Sequence, residues 1–144
     1  VTQDALLSTF DSILQAFTLG VAGIAGISLA VAGILIMNVM LIAVSQRTTE
    51  IGLLKAIGAP RGQVLRLFLA ESALLSLVGA FLGMVLAFAG TWVLLRMFPT
   101  FPISVSLWAL CAATVVSVAT GLIFGVLPAR RAARLDPVQA LSRR

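Results

Sequence analysis

The sequence has no histidine, no tyrosine, a single cysteine and only five acidic residues in 144. Without histidine it lacks the commonest general base and the commonest metal ligand. Cys111 has no second thiol to pair with and no base partner, so an intramolecular disulfide and a Cys–His nucleophile are both excluded. Metal sites built from Cys and His fail by counting, and no metal ligand is assigned. A phosphate loop of the form G-x-x-x-x-G-K-[ST] does not occur, so ATP cannot be bound through that motif. No carboxylate lies well inside an apolar run. The chain therefore reads as something other than an enzyme, with no catalytic residues and no cofactor of its own.

What it has instead is apolar surface. Sixty per cent of residues are hydrophobic and 10% are charged, with a mean hydropathy of +1.13. A soluble domain of this size could not keep so much apolar surface from water. Twelve glycines suit membrane helices, where glycine is better tolerated. The net charge of +5 is gathered beside the apolar stretches. That distribution points to membrane orientation and away from nucleic acid. The sequence opens on Val1, as a segment of a longer polypeptide would. Its first residues carry Asp4 and Asp11, not the basic flank of a signal peptide.

Residues 12–46, 72–95 and 97–129 carry no charge. About 20 apolar residues cross the hydrocarbon core as a helix, so the second run predicts a span over 72–95. The third predicts one over 104–128, after the turn-like Phe98-Pro99-Thr100-Phe101-Pro102. The first run would reach roughly 50 Å as a helix, too long for one crossing and too short for two with a turn. It predicts a span over 20–44 on a helix whose N-terminal part, 1–19, stands out of the membrane as a stalk. Leu6, Phe10, Ile13 and Phe17 recur at alternating spacings of four and three, opposite Asp4, Ser8, Asp11 and Gln15. This is an amphipathic, coiled-coil-like seam. It fits packing within the chain or against a second copy, and periodicity does not separate the two.

Basic residues set the orientation. The loop 47–71 carries Arg47, Lys55, Arg61 and Arg66; the tail 129–144 carries Arg130, Arg131, Arg134, Arg143 and Arg144. The N-terminal flank has none and the second connection has only Arg96, expected to snorkel to head groups. The central loop and C-terminus are therefore expected in the cytoplasm, with the stalk and the Pro-rich turn outside. Within the spans, small residues recur every fourth position: Ala22, Gly26 and Ala30; Gly79, Gly83 and Ala87; Ala113, Ser117, Gly121 and Gly125. Such ladders let helix backbones approach closely in lipid. Packing among the three helices is the plain expectation, and a dimer contact the sharper one. Asn38, the most polar side chain deep in the first span, suits a helix–helix hydrogen bond.

The central loop is more than a connector. Thr48 or Thr49 can cap a short helix opening with Glu50, whose charge suits the N-terminal dipole. Ile51, Leu54 and Ile57 share one face, Lys55 lies near the C-terminal end, and Gly58 is placed for a left-handed stop. Pro60 suits the first turn of a following helix that runs through Val64, Leu65, Phe68 and Leu69 into the second span. Glu71 is expected to pair with Arg66, Arg61 or head-group water. The helix could lie flat on lipid head groups. Gly52 argues against that: mid-helix glycine costs stability, and its missing side chain invites the close approach of another surface.

The run Asn38-Val-Met40 through Arg47-Thr-Thr-Glu50-Ile-Gly52-Leu-Leu-Lys55-Ala-Ile-Gly58-Ala resembles the signature of FtsX-like ABC-transporter permeases, especially the MacB type. The tail Pro128-Ala-Arg130-Arg131-Ala-Ala-Arg134-Leu-Asp136-Pro137 is similar to that family's ending. The family commonly has Arg or Lys where Thr49 and Leu54 stand. The resemblance covers essentially the whole chain, as the family's C-terminal permease domain. It implies an all-α integral membrane fold: three transmembrane helices, an extracytoplasmic stalk on the first, and a cytoplasmic coupling helix, 48–58, before the second. It implies a bacterial inner-membrane location and a missing upstream membrane helix and extracytoplasmic domain. It implies pairing with a second permease copy, identical or related, and docking on an ABC ATPase that holds ATP and Mg. Arg47, Thr49, Glu50, Ile51, Gly52, Leu54, Lys55, Ile57 and Gly58 would couple to that ATPase. ATP hydrolysis would then drive the outer domain by mechanotransmission, for efflux or for lipoprotein or peptide handling. Two other readings stay open: a three-span assembly protein whose loop binds another partner, and an importer with a true transmembrane route. The second would need polar side chains facing a shared cavity, and the spans offer little beyond Asn38.

Overall fold

A computed structural model of the chain describes residues 2–100, 104–136 and 138. Among them are four helices and no strand: α1 Thr2–Gln46, α2 Thr48–Ala56, α3 Arg61–Met97 and α4 Leu107–Arg134. Three of these, all but α2, are long and apolar enough to cross a membrane. The all-α, three-span expectation is met. The chain divides into two compact units, residues 1–32 and 33–144.

The first unit is helical from Thr2 onward, and its described side chains are exposed apart from half-buried Leu29. The seam residues Leu6, Phe10, Ile13 and Phe17 all lie open. Four of its hydroxyls turn back on the helix itself. Ser8 Oγ donates to the Ala5 carbonyl at 2.9 Å and Thr9 Oγ1 to the same oxygen at 2.8 Å. Ser12 donates to Ser8 O and Thr18 to Leu14 O, each at 2.8 Å. This back-bonding is the usual resort of Ser and Thr inside a helix.

The second unit has its core where the helix ends gather. Met40 and Val44 from the end of α1, Ile51 from α2, Val64 and Phe68 from the start of α3, and Ala129, Ala132 and Ala133 from the end of α4 are buried together. Burying a side chain the size of Phe68 stabilises by roughly 1.5–3 kcal/mol over leaving it in water. The three alanines matter by being small: they let neighbouring helices come close to α4. Away from this core, large side chains such as Leu74, Phe81, Leu86 and Ile123 are exposed, the surface a lipid-facing helix presents.

Helices α3 and α4 pack antiparallel, with Ser72 opposite Gly125 and Ser76 opposite Gly121. Ser117 Oγ crosses between them to the Ser76 carbonyl at 3.1 Å. A side chain on Gly121 would meet the Ser76 hydroxyl and come within 3.0 Å of the Ser72 carbonyl oxygen. Helix α1 meets α4 at Gly33, whose missing side chain makes room for the ring of Phe124. Of the residues expected to pack helices, Ser117, Gly121 and Gly125 do so. Gly79 and Gly83 differ: a side chain on either would meet open space, as it would on Gly26. Ser72 and Ser76 hold the place on α3 that the glycine ladder was expected to fill. They lie on the same face of the helix, one to two turns earlier. Asn38 is exposed, and its side chain makes no hydrogen bond to a described residue.

Helix α4 also runs past the boundary expected at residue 128. Pro128 lies inside it, fully buried, and the helix continues to Arg134. An interior proline removes one backbone hydrogen bond and crowds the preceding turn, at about 3 kcal/mol. Here the ring is fully buried.

Candidate functional site

Helix α2 leaves α1 across a single residue. The Arg47 N–H still bonds to Ala43 O at 3.0 Å, and the Arg47 carbonyl already accepts from the Ile51 N–H at 3.0 Å. Arg47 occupies the N-cap position, and no side chain caps the helix. The expected Thr48 or Thr49 cap is therefore corrected. With Gln46 still helical, Thr48 Oγ1 reaches back to Ser45 O at 2.8 Å and Val44 O at 3.1 Å. Glu50 lies in the first turn, as its charge favours.

The end of α2 follows local chemistry closely. Gly58 has φ +101°, in the left-handed region. The Ala59 N–H bonds to Leu54 O at 3.0 Å and the Gly58 N–H to Lys55 O at 3.1 Å. That pair of bonds is the Schellman arrangement, which satisfies the last carbonyls of a helix. Pro60 sits at the N-cap position of α3, with its carbonyl accepting from the Gln63 N–H at 2.9 Å.

The two faces of α2 differ. Ile51 and Gly52 are buried in the chain itself. The surface that comes close to Gly52 therefore includes this chain's own. Lys55 is half-buried and turned to α4: its Nζ donates to Ala133 O at 2.9 Å and also to Leu135 O. Thr49, Glu50, Leu53, Leu54, Ile57 and Gly58 face outward. Leu53 is 57% exposed and Ile57 76%. With Glu50 they form a stripe at helical spacing, with an acid at one end and apolar side chains beyond it. Beside it, Leu54, Leu67 and Leu74 line a groove between α2 and α3, edged by Arg47 and Glu71.

Glu71 is paired with Arg47, Nη1 to Oε1 at 3.3 Å, and not with Arg61 or Arg66 as expected. The fold brings Arg47, at the start of α2, beside the third turn of α3, a proximity that spacing along α3 alone does not reveal. Both side chains are substantially exposed, so the pair contributes at most about 1 kcal/mol. Arg96 lies over the Trp92 ring, 4.9 Å from its centroid, a cation–π contact near the α3–α4 connection. In the tail segment, Arg130, Arg131 and Arg134 belong to the last turns of α4 and are exposed. Asp136 Oδ1 accepts from the Val138 N–H at 3.0 Å. Pro137 lies outside the described residues. Among the described residues, no group of three or more Cys, Asp or Glu side chains could hold a metal.

Residues 22–137 match the family described as FtsX-like permease C-terminal. The chain is 44% identical over 140 residues to the macrolide export ATP-binding/permease protein MacB of Rhodopseudomonas palustris (strain HaA2). That match covers 97% of this chain and 21% of the relative. It is 45% identical over 140 residues to the MacB of Shigella sonnei (strain Ss046), covering 97% and 22%. It is 45% identical over 121 residues to the uncharacterized ABC transporter permease YknZ of Bacillus subtilis (strain 168), covering 84% and 30%. The chain thus spans between a fifth and a third of the length of these curated relatives.

Proposed function

The chain belongs to the FtsX-like permease family, and from that premise we propose that it transmits motion between an ABC ATPase and the far side of the membrane. As a membrane permease domain of the ABC-transporter family it carries no catalytic machinery. ATP and Mg belong to the ATPase, fused or separate. The ATPase docks on the outward stripe of α2, Glu50, Leu53 and Ile57, from the cytoplasm. The stalk seam Leu6, Phe10, Ile13 and Phe17 meets a second permease copy on the outer side. Nucleotide-driven movement then reaches an extracytoplasmic domain, in the service of efflux or of lipoprotein or peptide handling.

One observation supports this reading above the others: α2 is buried on one face by its own chain and exposes apolar side chains on the other. A helix merely lying on lipid would put its apolar face into the membrane and its charges into water. Here Glu50 shares the exposed apolar stripe, as a protein partner's surface allows. Exposed apolar side chains of this kind mark a contact.

The test is co-purification of the ATPase, or hydrolysis by a fused one, in Leu53→Asp and Ile57→Asp variants. Loss of the bound ATPase, or of coupled hydrolysis, with normal membrane insertion supports docking at this stripe. Full retention in both variants would show that the ATPase binds elsewhere. Capture of a different cytoplasmic protein would favour the assembly-protein reading.

A further inference from the structure

We propose that Lys55 is a positioning residue that clamps the coupling helix to the C-terminal end of α4, so that displacement of α2 is delivered to α4 in addition to its direct contacts with α3. The inference rests on the ATPase-docking reading of α2 and says where the motion goes next.

The last carbonyls of a helix need partners from outside its own ladder. Helix α4 does not end on a glycine stop. Its C-cap is Leu135, at φ −57° and ψ 133°, whose N–H bonds only to Ala132 O at 3.3 Å. The carbonyls of Ala133 and Leu135 are taken instead by the Lys55 ammonium, 78 and 80 residues earlier in the chain. A cation at a helix C-terminus also meets the negative end of the dipole. Arg131 and Arg134 stand in the same last turn and are exposed. The local cations thus point to solvent, while the distant half-buried one makes the bonds. Among the described residues Lys55 has no carboxylate partner, so its charge is committed to these carbonyls.

The neighbours of this link are packed against one another. Ile51 sits in the same core as Ala129, Ala132 and Ala133. At its other end α2 is tied to α3 by the Arg47–Glu71 pair. Beyond the clamp, Gly121 and Gly125 of α4 lie hard against Ser72 and Ser76 of α3. A close-packed contact of this kind passes on a displacement rather than absorbing it. The outward stripe of α2 receives the push, and Lys55 carries it to the end of the neighbouring helix.

The test uses the full-length protein with its ATPase in lipid nanodiscs, comparing wild type, Lys55→Met and Lys55→Arg. Lys55→Met keeps the length of the side chain and loses the donors; Lys55→Arg keeps both charge and donors. Amide hydrogen exchange over residues 129–136 is measured without nucleotide and with ATP plus vanadate, alongside ATPase retention and hydrolysis. The expected result is a change of at least threefold in exchange at the end of α4 on trapping wild type and Lys55→Arg. Lys55→Met should lose that response while keeping the ATPase bound and at least half of its hydrolysis. A wild-type response in Lys55→Met would overturn the clamp. So would release of the ATPase by Lys55→Met, which would place the lysine in the docking surface, or failure of Lys55→Arg to restore the response. A bound ATPase with no response at α4 in wild type would overturn the clamp alone. No ATPase bound to wild type would remove the docking reading, and the clamp with it.

Discussion

The ring of Phe124 on α4 occupies the space where a side chain at Gly33 of α1 would begin. The contact joins two helices 91 positions apart (124 − 33). Placing Leu at position 33 forces the ring out of its site. Overpacking of this kind destabilises by roughly 1–3 kcal/mol. Gly33→Leu should lower the unfolding midpoint in detergent titration, and adding Phe124→Ala should recover most of the loss. Equal stability of Gly33→Leu and wild type would show that α1 and α4 can separate at no cost.

A sharper contrast is expected between two glycines of similar sequence context. Gly121→Val drives a side chain into the Ser76 hydroxyl and toward the Ser72 backbone carbonyl, and a backbone atom cannot move aside by changing rotamer. Gly79→Val meets open space. In the unassembled permease domain, Gly121→Val should destabilise by roughly 1–3 kcal/mol, while Gly79→Val stays near neutral. Adding Ser76→Ala should rescue Gly121→Val only in part, because the carbonyl remains. If Gly79→Val instead disturbs assembly of two copies, its ladder faces a second molecule.

Gly58 stops α2 at φ +101°. An L side chain in the left-handed region costs about 1–2 kcal/mol. Gly58→Ala should therefore raise amide exchange at positions 58 and 59 by roughly 5–30-fold, with the three long helices unchanged. Unaltered exchange at those two amides would mean that the turn does not depend on its glycine.

Reversing the Arg47–Glu71 pair tests how far this tie matters. Arg47→Glu or Glu71→Arg alone places like charges together, and the double exchange restores attraction. Each side chain is about half exposed, at 53% and 40%. A double-mutant cycle on unfolding should give a coupling of about 0.2–1 kcal/mol, weakening as salt is raised. A coupling that ignores salt would mean that the pair is shielded from solvent.

Local features were the legible ones. The three membrane helices follow from charge-free runs long enough to cross a bilayer. Gly58 followed from the few residues around it, because only glycine takes the left-handed stop freely. The faces were harder. A four-residue spacing says that small residues share a side of a helix, not which side meets a neighbour. Ser72, Ser76, Gly79 and Gly83 share one stripe of α3 by periodicity, and only the fold shows that α4 packs close at the serines and leaves the glycines open. The partners of Lys55 left no trace in side-chain type, since they are backbone carbonyls that any residue supplies. The Arg47–Glu71 pair was missed for a related reason: the path from α1 through α2 brings together residues that charge spacing along α3 alone would not join. The turn of α2 that buries Gly52 within its own chain is likewise a product of the four-helix core, not of the loop.

The hydroxyls of Ser8, Thr9, Ser12 and Thr18 are all engaged with their own helix. Such groups ask little of the medium around them, and sinking them into lipid strands no donor. The carboxylates of Asp4 and Asp11 are different, since an unpaired charge in hydrocarbon is expensive. Were this segment to meet lipid, its two acidic side chains and not its hydroxyls would set the limit of its burial. Local shifts of the lipid surface along this segment would leave those hydroxyls as satisfied as before, so long as both acids keep their water.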